Sequence, residues 1–170
     1  MRKSMSFRIP IMNASDIVCR LIAPVSGQIV DLDQVPDPVF SERMTGDGLA
    51  ILAEDDVALA PCDGTISLLF DTKHAFALTT DDGIQVLVHI GLDTVILNGE
   101  GIRALHEPGE RVTAGTPILQ FDFDLLLKKQ IDLISPLIIV NYDKIANLRL
   151  RQPGEFLKAG NDTAIEYTLR

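Results

Sequence analysis

A chain of 170 residues that is 46% hydrophobic and carries a formal charge of −9 has material for one domain with a substantial core and too little for two. That acidity excludes nucleic acid as a partner, because affinity for a phosphate backbone rests on clustered Lys and Arg. No apolar run approaches the roughly 20 residues of a membrane helix and no secretory leader pattern opens the chain, so no membrane span and a cytoplasmic location are expected.

Residues 1–16 mix Arg2, Lys3 and Arg8 with Ile9, Ile11 and Met12, and Pro10 denies a continuing helix its backbone donor. They read as a flexible tail, leaving 17–170 as a single domain. Short β-like runs then follow one another between Gly, Pro and Asp: Ile17–Ile22, Gly27–Asp31, Gly48–Leu52, Val57–Ala60, Gly64–Phe70, His74–Thr79 and Ile84–His89. A helical turn is expected over Pro38–Arg43. A longer helix is expected over Asp122–Ile134, where Phe123, Leu126, Leu127, Ile131 and Ile134 recur at three- and four-residue intervals. Cys19 and Cys62 form no C-x-x-C pair and read as reduced, small apolar residues.

Two sets of corners repeat. Ala23-Pro24-Val25-Ser26-Gly27 is echoed by Ala60-Pro61-Cys62-Asp63-Gly64, and Pro108-Gly109-Glu110 with Ala114-Gly115 by Pro153-Gly154-Glu155 with Ala159-Gly160. Matched Pro and Gly offsets mean the same turn built twice. The spacing therefore predicts an all-β sandwich or barrel of duplicated halves.

Of three histidines, His74 and His89 lie in apolar runs flanking Asp81-Asp82-Gly83, a hairpin signal. A loop of Asp81-Asp82 would set His74 directly opposite His89. A loop of Asp82-Gly83 would set His89 opposite Phe76, with His74 diagonal to it. Both registers put the rings on one face; a three-residue loop without a bulge would put them on opposite faces. Paired imidazoles there fit a metal site completed by a carboxylate such as Asp93, a phosphoryl-accepting nucleophile with a hydrogen-bonding neighbour, or an inert pair. Thr72, two residues before His74, could bond the far nitrogen of its ring. His106, beside Glu107-Pro108-Gly109, reads as a turn residue; Lys73 and Asp47 read as a solvated charge and a turn residue.

The stretches Val35-Pro36-Asp37-Pro38-Val39-Phe40-Ser41-Glu42-Arg43-Met44-Thr45-Gly46-Asp47-Gly48, Thr72-Lys73-His74-Ala75-Phe76 and Val88-His89-Ile90-Gly91-Leu92-Asp93-Thr94-Val95 resemble the glucose-type enzyme IIA of the bacterial phosphoenolpyruvate-dependent sugar phosphotransferase system, in order and from about Ile17 onward. The resemblance implies an antiparallel β-sandwich, or barrel-sandwich hybrid, of duplicated halves with short helical segments. It implies His89 as the phosphoryl acceptor, His74 as its stabiliser and Thr72 as the residue orienting His74. Asp37 and Asp93 match acids that meet a basic residue of the histidine-containing phosphocarrier protein, and Phe40, Phe70 and Leu87 an apolar surround for docking. Leu87 stands where an aromatic is often found. The implied partners are that phosphocarrier and a sugar-specific IIB domain supplied in trans, with regulatory protein targets also open; no cofactor is implied. No metal is expected in the isolated chain, although His74 and His89 could ligate zinc with a partner's carboxylate. A zinc metallopeptidase of related architecture would want an H-x-H pair, absent at His89-Ile90-Gly91. A non-catalytic regulatory protein of the same fold is the other alternative.

Overall fold

Proline and glycine at the repeated corners end each run after a few residues, so the chain folds as short strands. The structure, a computed structural model, describes residue 13 and residues 16–170. Its strands are β1 (Cys19–Ile22), β2 (Gly27–Val30), β3 (Asp47–Ala53), β4 (Val57–Leu59), β5 (Gly64–Leu69), β6 (Ala75–Thr79), β7 (Gln85–His89), β8 (Ile102–Ala104), β9 (Arg111–Val112), β10 (Pro117–Phe121), β11 (Ile134–Ile139), β12 (Ile145–Leu150), β13 (Phe156–Leu157) and β14 (Thr163–Leu169). The expected tail lies, apart from Asn13 and Asp16, outside the described residues.

All pairings are antiparallel. The strands form an eight-stranded sheet, β13-β2-β3-β11-β7-β6-β5-β9, and two three-stranded sheets, β1-β14-β12 and β4-β10-β8. The main core draws on all three, with Leu21, Ile51, Phe76, Val88, Ile118, Leu119 and Ile165 fully enclosed. The all-β class and the duplication expected from the corners both stand.

The duplication is visible bond by bond. Ile22 N–H donates to the Pro61 carbonyl and Leu59 N–H to that of Pro24, both at 2.9 Å. Gly160 N–H reaches the Ala23 carbonyl as Gly115 N–H reaches that of Ala60; Ala159 N–H reaches Ser26 Oγ as Ala114 N–H reaches Asp63 Oδ1. Carrying the match of Gly27 with Gly64 through the ladders sets Leu49 against Phe76 and Leu137 against Val88. Leu137 and Val88 face each other across the β11–β7 boundary, so the pseudo-twofold axis passes through that pair.

Among the described residues two α-helices, besides short 3-10 turns, interrupt the strands: α1 (Pro38–Ser41) and α2 (Phe123–Lys128). α1 forms where Pro38 presets the first helical φ and the Asp37 carboxylate caps Val39 N–H at 3.0 Å. The helix expected over Asp122–Ile134 stops much earlier. Gln130 takes a left-handed conformation (φ 58°), Leu92 bridges to Asp132, and Ile134 opens a central strand. The apolar period past Lys128 comes from residues buried one by one in a loop and then in β11, not from a helical stripe.

A second apolar cluster, Leu32, Val35, Phe40, Ala50, Leu92 and Ile138, covers the outer face of the large sheet, with Leu87 at its margin. It seats α1 on that face. Burying an aromatic such as Phe40, 3% exposed, stabilises such a platform by roughly 1.5–3 kcal/mol.

Candidate phosphoryl-acceptor site

The site lies beside the pseudo-twofold axis, where β7 ends. Ala75 pairs with His89 and Thr79 with Gln85, and Thr80 N–H donates to the Ile84 carbonyl at 2.9 Å. The loop is thus the three residues Asp81, Asp82 and Gly83, and neither expected register is adopted. Gly83 turns the chain at φ 86°, and Asp81 is held by a bidentate pair with Arg111 at 2.6 and 2.8 Å.

By strand alternation this register would point His74 away from His89. The two rings nevertheless meet edge to face, 4.8 Å between centroids and 71° between planes. Strand β6 begins only at Ala75, and Lys73 before it is left-handed (φ 58°). The His74 carbonyl still accepts Ile90 N–H at 2.8 Å, but its side chain is no longer bound by the pleat. Ala75, opposite His89, offers only a methyl group, leaving room for the His74 ring to lean across. The expected contact is present; the hairpin parity used to reach it is corrected.

Each ring has one fixed nitrogen. His89 Nδ1 lies 2.7 Å from the Gly91 carbonyl; a carbonyl only accepts, so Nδ1 carries the proton and Nε2 holds the free lone pair. His74 Nδ1 lies 2.5 Å from Thr72 Oγ1, a hydroxyl that can donate to it and leave Nε2–H as a donor. Burial, reinforced by the neighbouring His74, pushes the His89 pKa down to about 4, against the bond to Gly91 and the fields of Asp37 and Asp93. Burial also lowers that of His74. Both rings are neutral at pH 7, and a neutral Nε2 is a nucleophile.

Apolar groups surround the pair. Phe40 packs edge-on against His89 with centroids 5.1 Å apart, and Phe70 lies over His74 at 5.0 Å. Leu87 precedes His89 by two residues on β7 and projects from the same face. Asp37 caps α1 and Asp93 is exposed at the start of a 3-10 turn, left-handed at φ 57°. Val39, Val95 and Ile96, sequence neighbours of these acids, are 41%, 50% and 70% exposed, apolar surface that the sequence reading left out.

The remaining residues singled out in the sequence are placed as follows. Among the described residues no three His, Cys, Asp or Glu side chains cluster to hold a metal, so Asp93 does not complete a ligand set with the two histidines. His106 pairs with Glu110 as Arg151 pairs with Glu155, one bridge in each half. Asp47 is held by Arg43 at 3.1 Å. Among the described residues no helix is long and apolar enough to cross a membrane.

The model of the family "phosphoenolpyruvate-dependent sugar phosphotransferase system, EIIA 1" matches residues 19–145. A glucose-specific EIIA component of Borreliella burgdorferi is 38% identical over 151 residues, covering 86% of this chain and 80% of the relative. A Staphylococcus aureus glucose-specific EIIA component is 36% identical, covering 88% and 89%. The N-acetylglucosamine-specific EIICBA component of Escherichia coli is 40% identical over 82% of this chain, which spans only 22% of that relative's length. Glucose permease IIA from Mycoplasma capricolum superposes with a TM-score of 0.81 at 37% identity, covering 88% of this chain and 96% of that one. Nothing in these matches supports the metallopeptidase alternative. From fold, motif order and relatives together, the chain belongs to the EIIA 1 family of the phosphoenolpyruvate-dependent sugar phosphotransferase system.

Proposed function

We propose that the chain relays a phosphoryl group through His89 Nε2, taking it from the phosphohistidine of the histidine-containing phosphocarrier protein and passing it to a cysteine of a sugar-specific IIB domain. The observation that carries this reading is the bond from His89 Nδ1–H to the Gly91 carbonyl, which leaves Nε2 unprotonated in a ring kept neutral by burial.

On uptake, the donor's P–N bond breaks as a bond to Nε2 forms, the donor ring keeping its electron pair. On release, a thiolate attacks phosphorus, the P–Nε2 bond breaks and Nε2 recovers its lone pair. Such transfers need positioning and stabilisation of the phosphoryl oxygens more than further covalent chemistry. His74 Nε2–H, with Nδ1 accepting from Thr72, is the donor to those oxygens. Phe40, Phe70 and Leu87 exclude water that would hydrolyse phosphohistidine, and Asp37 and Asp93 attract a basic partner face. Relatives named for glucose and for N-acetylglucosamine are comparably similar to this chain, at 36–40%. That supports a relay whose sugar is chosen by another component.

Labelling from phosphoenolpyruvate with the general phosphotransfer proteins tests the reading. His89→Gln should take up no label, while His74→Gln accepts it and passes it on poorly. Label retained in His89→Gln, or label stable to acid, would overturn it.

A further inference from the structure

The Gly91 carbonyl fixes the His89 tautomer only if it stays aimed at Nδ1, and glycine resists rotation less than any other residue. Both peptide units flanking Gly91 are pinned. In the first, the Ile90 carbonyl accepts from Thr94 Oγ1 at 2.5 Å and Gly91 N–H donates to Ser135 Oγ at 3.0 Å. In the second, Leu92 N–H donates to the Asp132 carbonyl at 2.8 Å, and the Gly91 carbonyl faces His89.

Thr94 and Ser135 are both buried polar side chains, 0% and 2% exposed. Ser135 has its one proton committed: its hydroxyl donates to the Leu133 carbonyl at 3.0 Å while accepting from Gly91. The pocket admits only glycine at 91, at φ 67°, because a Cβ there would stand 2.7 Å from Thr94 Oγ1 and 2.8 Å from the Asp132 carbonyl. Val86, the counterpart of Ser135 across the pseudo-twofold axis, has no hydroxyl. The serine of the clamp is thus present on the histidine side of the axis and absent from the other.

We infer that Ser135 and Thr94 are positioning residues for phosphoryl transfer, acting through the Gly91 peptide to keep His89 in its Nδ1–H form with Nε2 free. Neither hydroxyl is hydrogen-bonded to the ring. Removing either hydroxyl takes one of the two anchors from the first peptide unit, so the Gly91 carbonyl is held less firmly against Nδ1 and the Nε2–H tautomer, whose lone pair sits on Nδ1 instead of Nε2, gains population. This inference rests on the reading of His89 as acceptor.

The test compares Ser135→Ala, Thr94→Ala and Thr94→Ser in the full chain, with folding judged from the core methyl spectrum. Nitrogen-15 shifts of the His89 ring report the tautomer without any phosphoryl donor, and the rate of label uptake reports the consequence. Both alanine variants should raise the Nε2–H fraction and slow uptake roughly three- to tenfold, about what one net hydrogen bond is worth. Thr94→Ser, which keeps the hydroxyl, should restore both. Folded alanine variants with an unchanged tautomer would overturn the inference, as would a changed tautomer with unchanged uptake. Failure of the acceptor reading itself would appear instead as label in His89→Gln.

Discussion

The half built on β4–β10 and the half built on β1–β3 with β11–β14 share strands, corners and ladder geometry, yet only the first carries the histidine pair. The axis that exchanges them carries His89 onto Ile138, which is fully buried in the outer-face cluster. It carries Thr72-Lys73-His74 onto Thr45-Gly46-Asp47. On the second side Asp47 is tied to Arg43, and Thr45 Oγ1 is buried without a hydrogen-bond partner. The sheet is therefore a neutral frame. The histidine pair is arranged by two strand ends: the left-handed turn before β6 that re-aims His74, and the Gly91 turn after β7 that offers His89 a carbonyl. On the other side β11 continues as buried strand through Ile139, and no such carbonyl is offered.

This contrast can be sharpened by titration, where the largest difference is expected. His89 has an ordinary pKa of 6.5 and about 4 in the fold. Between those values the unfolded chain binds a proton that the folded chain does not, so stability rises with pH there. The contribution is complete above about pH 6.5 and is lost as pH falls toward 4. It amounts to roughly 3 kcal/mol, with His74 adding in the same direction. Denaturant midpoints at pH 7 and pH 4.5 should converge in His89→Gln relative to the parent. Replacing Ile138 by Val should leave the acid slope unchanged.

A smaller effect separates the two threonines. Thr72→Val removes the hydroxyl that holds His74 and should cost about 1 kcal/mol, with His74 shifting its ring-nitrogen signals. Thr45→Val removes an unpaired buried hydroxyl and should be neutral or slightly stabilising. Equal losses at both positions, read from urea midpoints, would contradict the asymmetry.

Much of this frame was legible in the residues. Alternation and corner residues located every strand up to His89 within about two residues, because Gly and Pro terminate strands locally. The corner repeats revealed the duplication because a turn's backbone demands are written in its own residues. The proposed roles of His89, His74 and Thr72 came from the resemblance to the glucose-type enzyme IIA, and the structure brings all three together.

What escaped depends on tertiary context. The Asp81-Asp82-Gly83 loop length is set by pairing at Thr80 and Ile84, which composition does not fix. The helix expected to reach Ile134 fails because burial in the core overrides helical spacing. Ser135 sits in the central strand β11, 44 residues from the Gly91 N–H it binds. No local pattern joins them. Only its polarity in the otherwise apolar run Ile134–Ile139 could have marked it.

The central claim is that the phosphoryl group bonds to Nε2 of His89, the nitrogen left free by Gly91. The direct measurement is phosphorus-31 to nitrogen-15 coupling in the phosphorylated, nitrogen-15-labelled protein. Coupling to His89 Nε2 is expected. Coupling to Nδ1 of that ring, or to either nitrogen of His74, would contradict it.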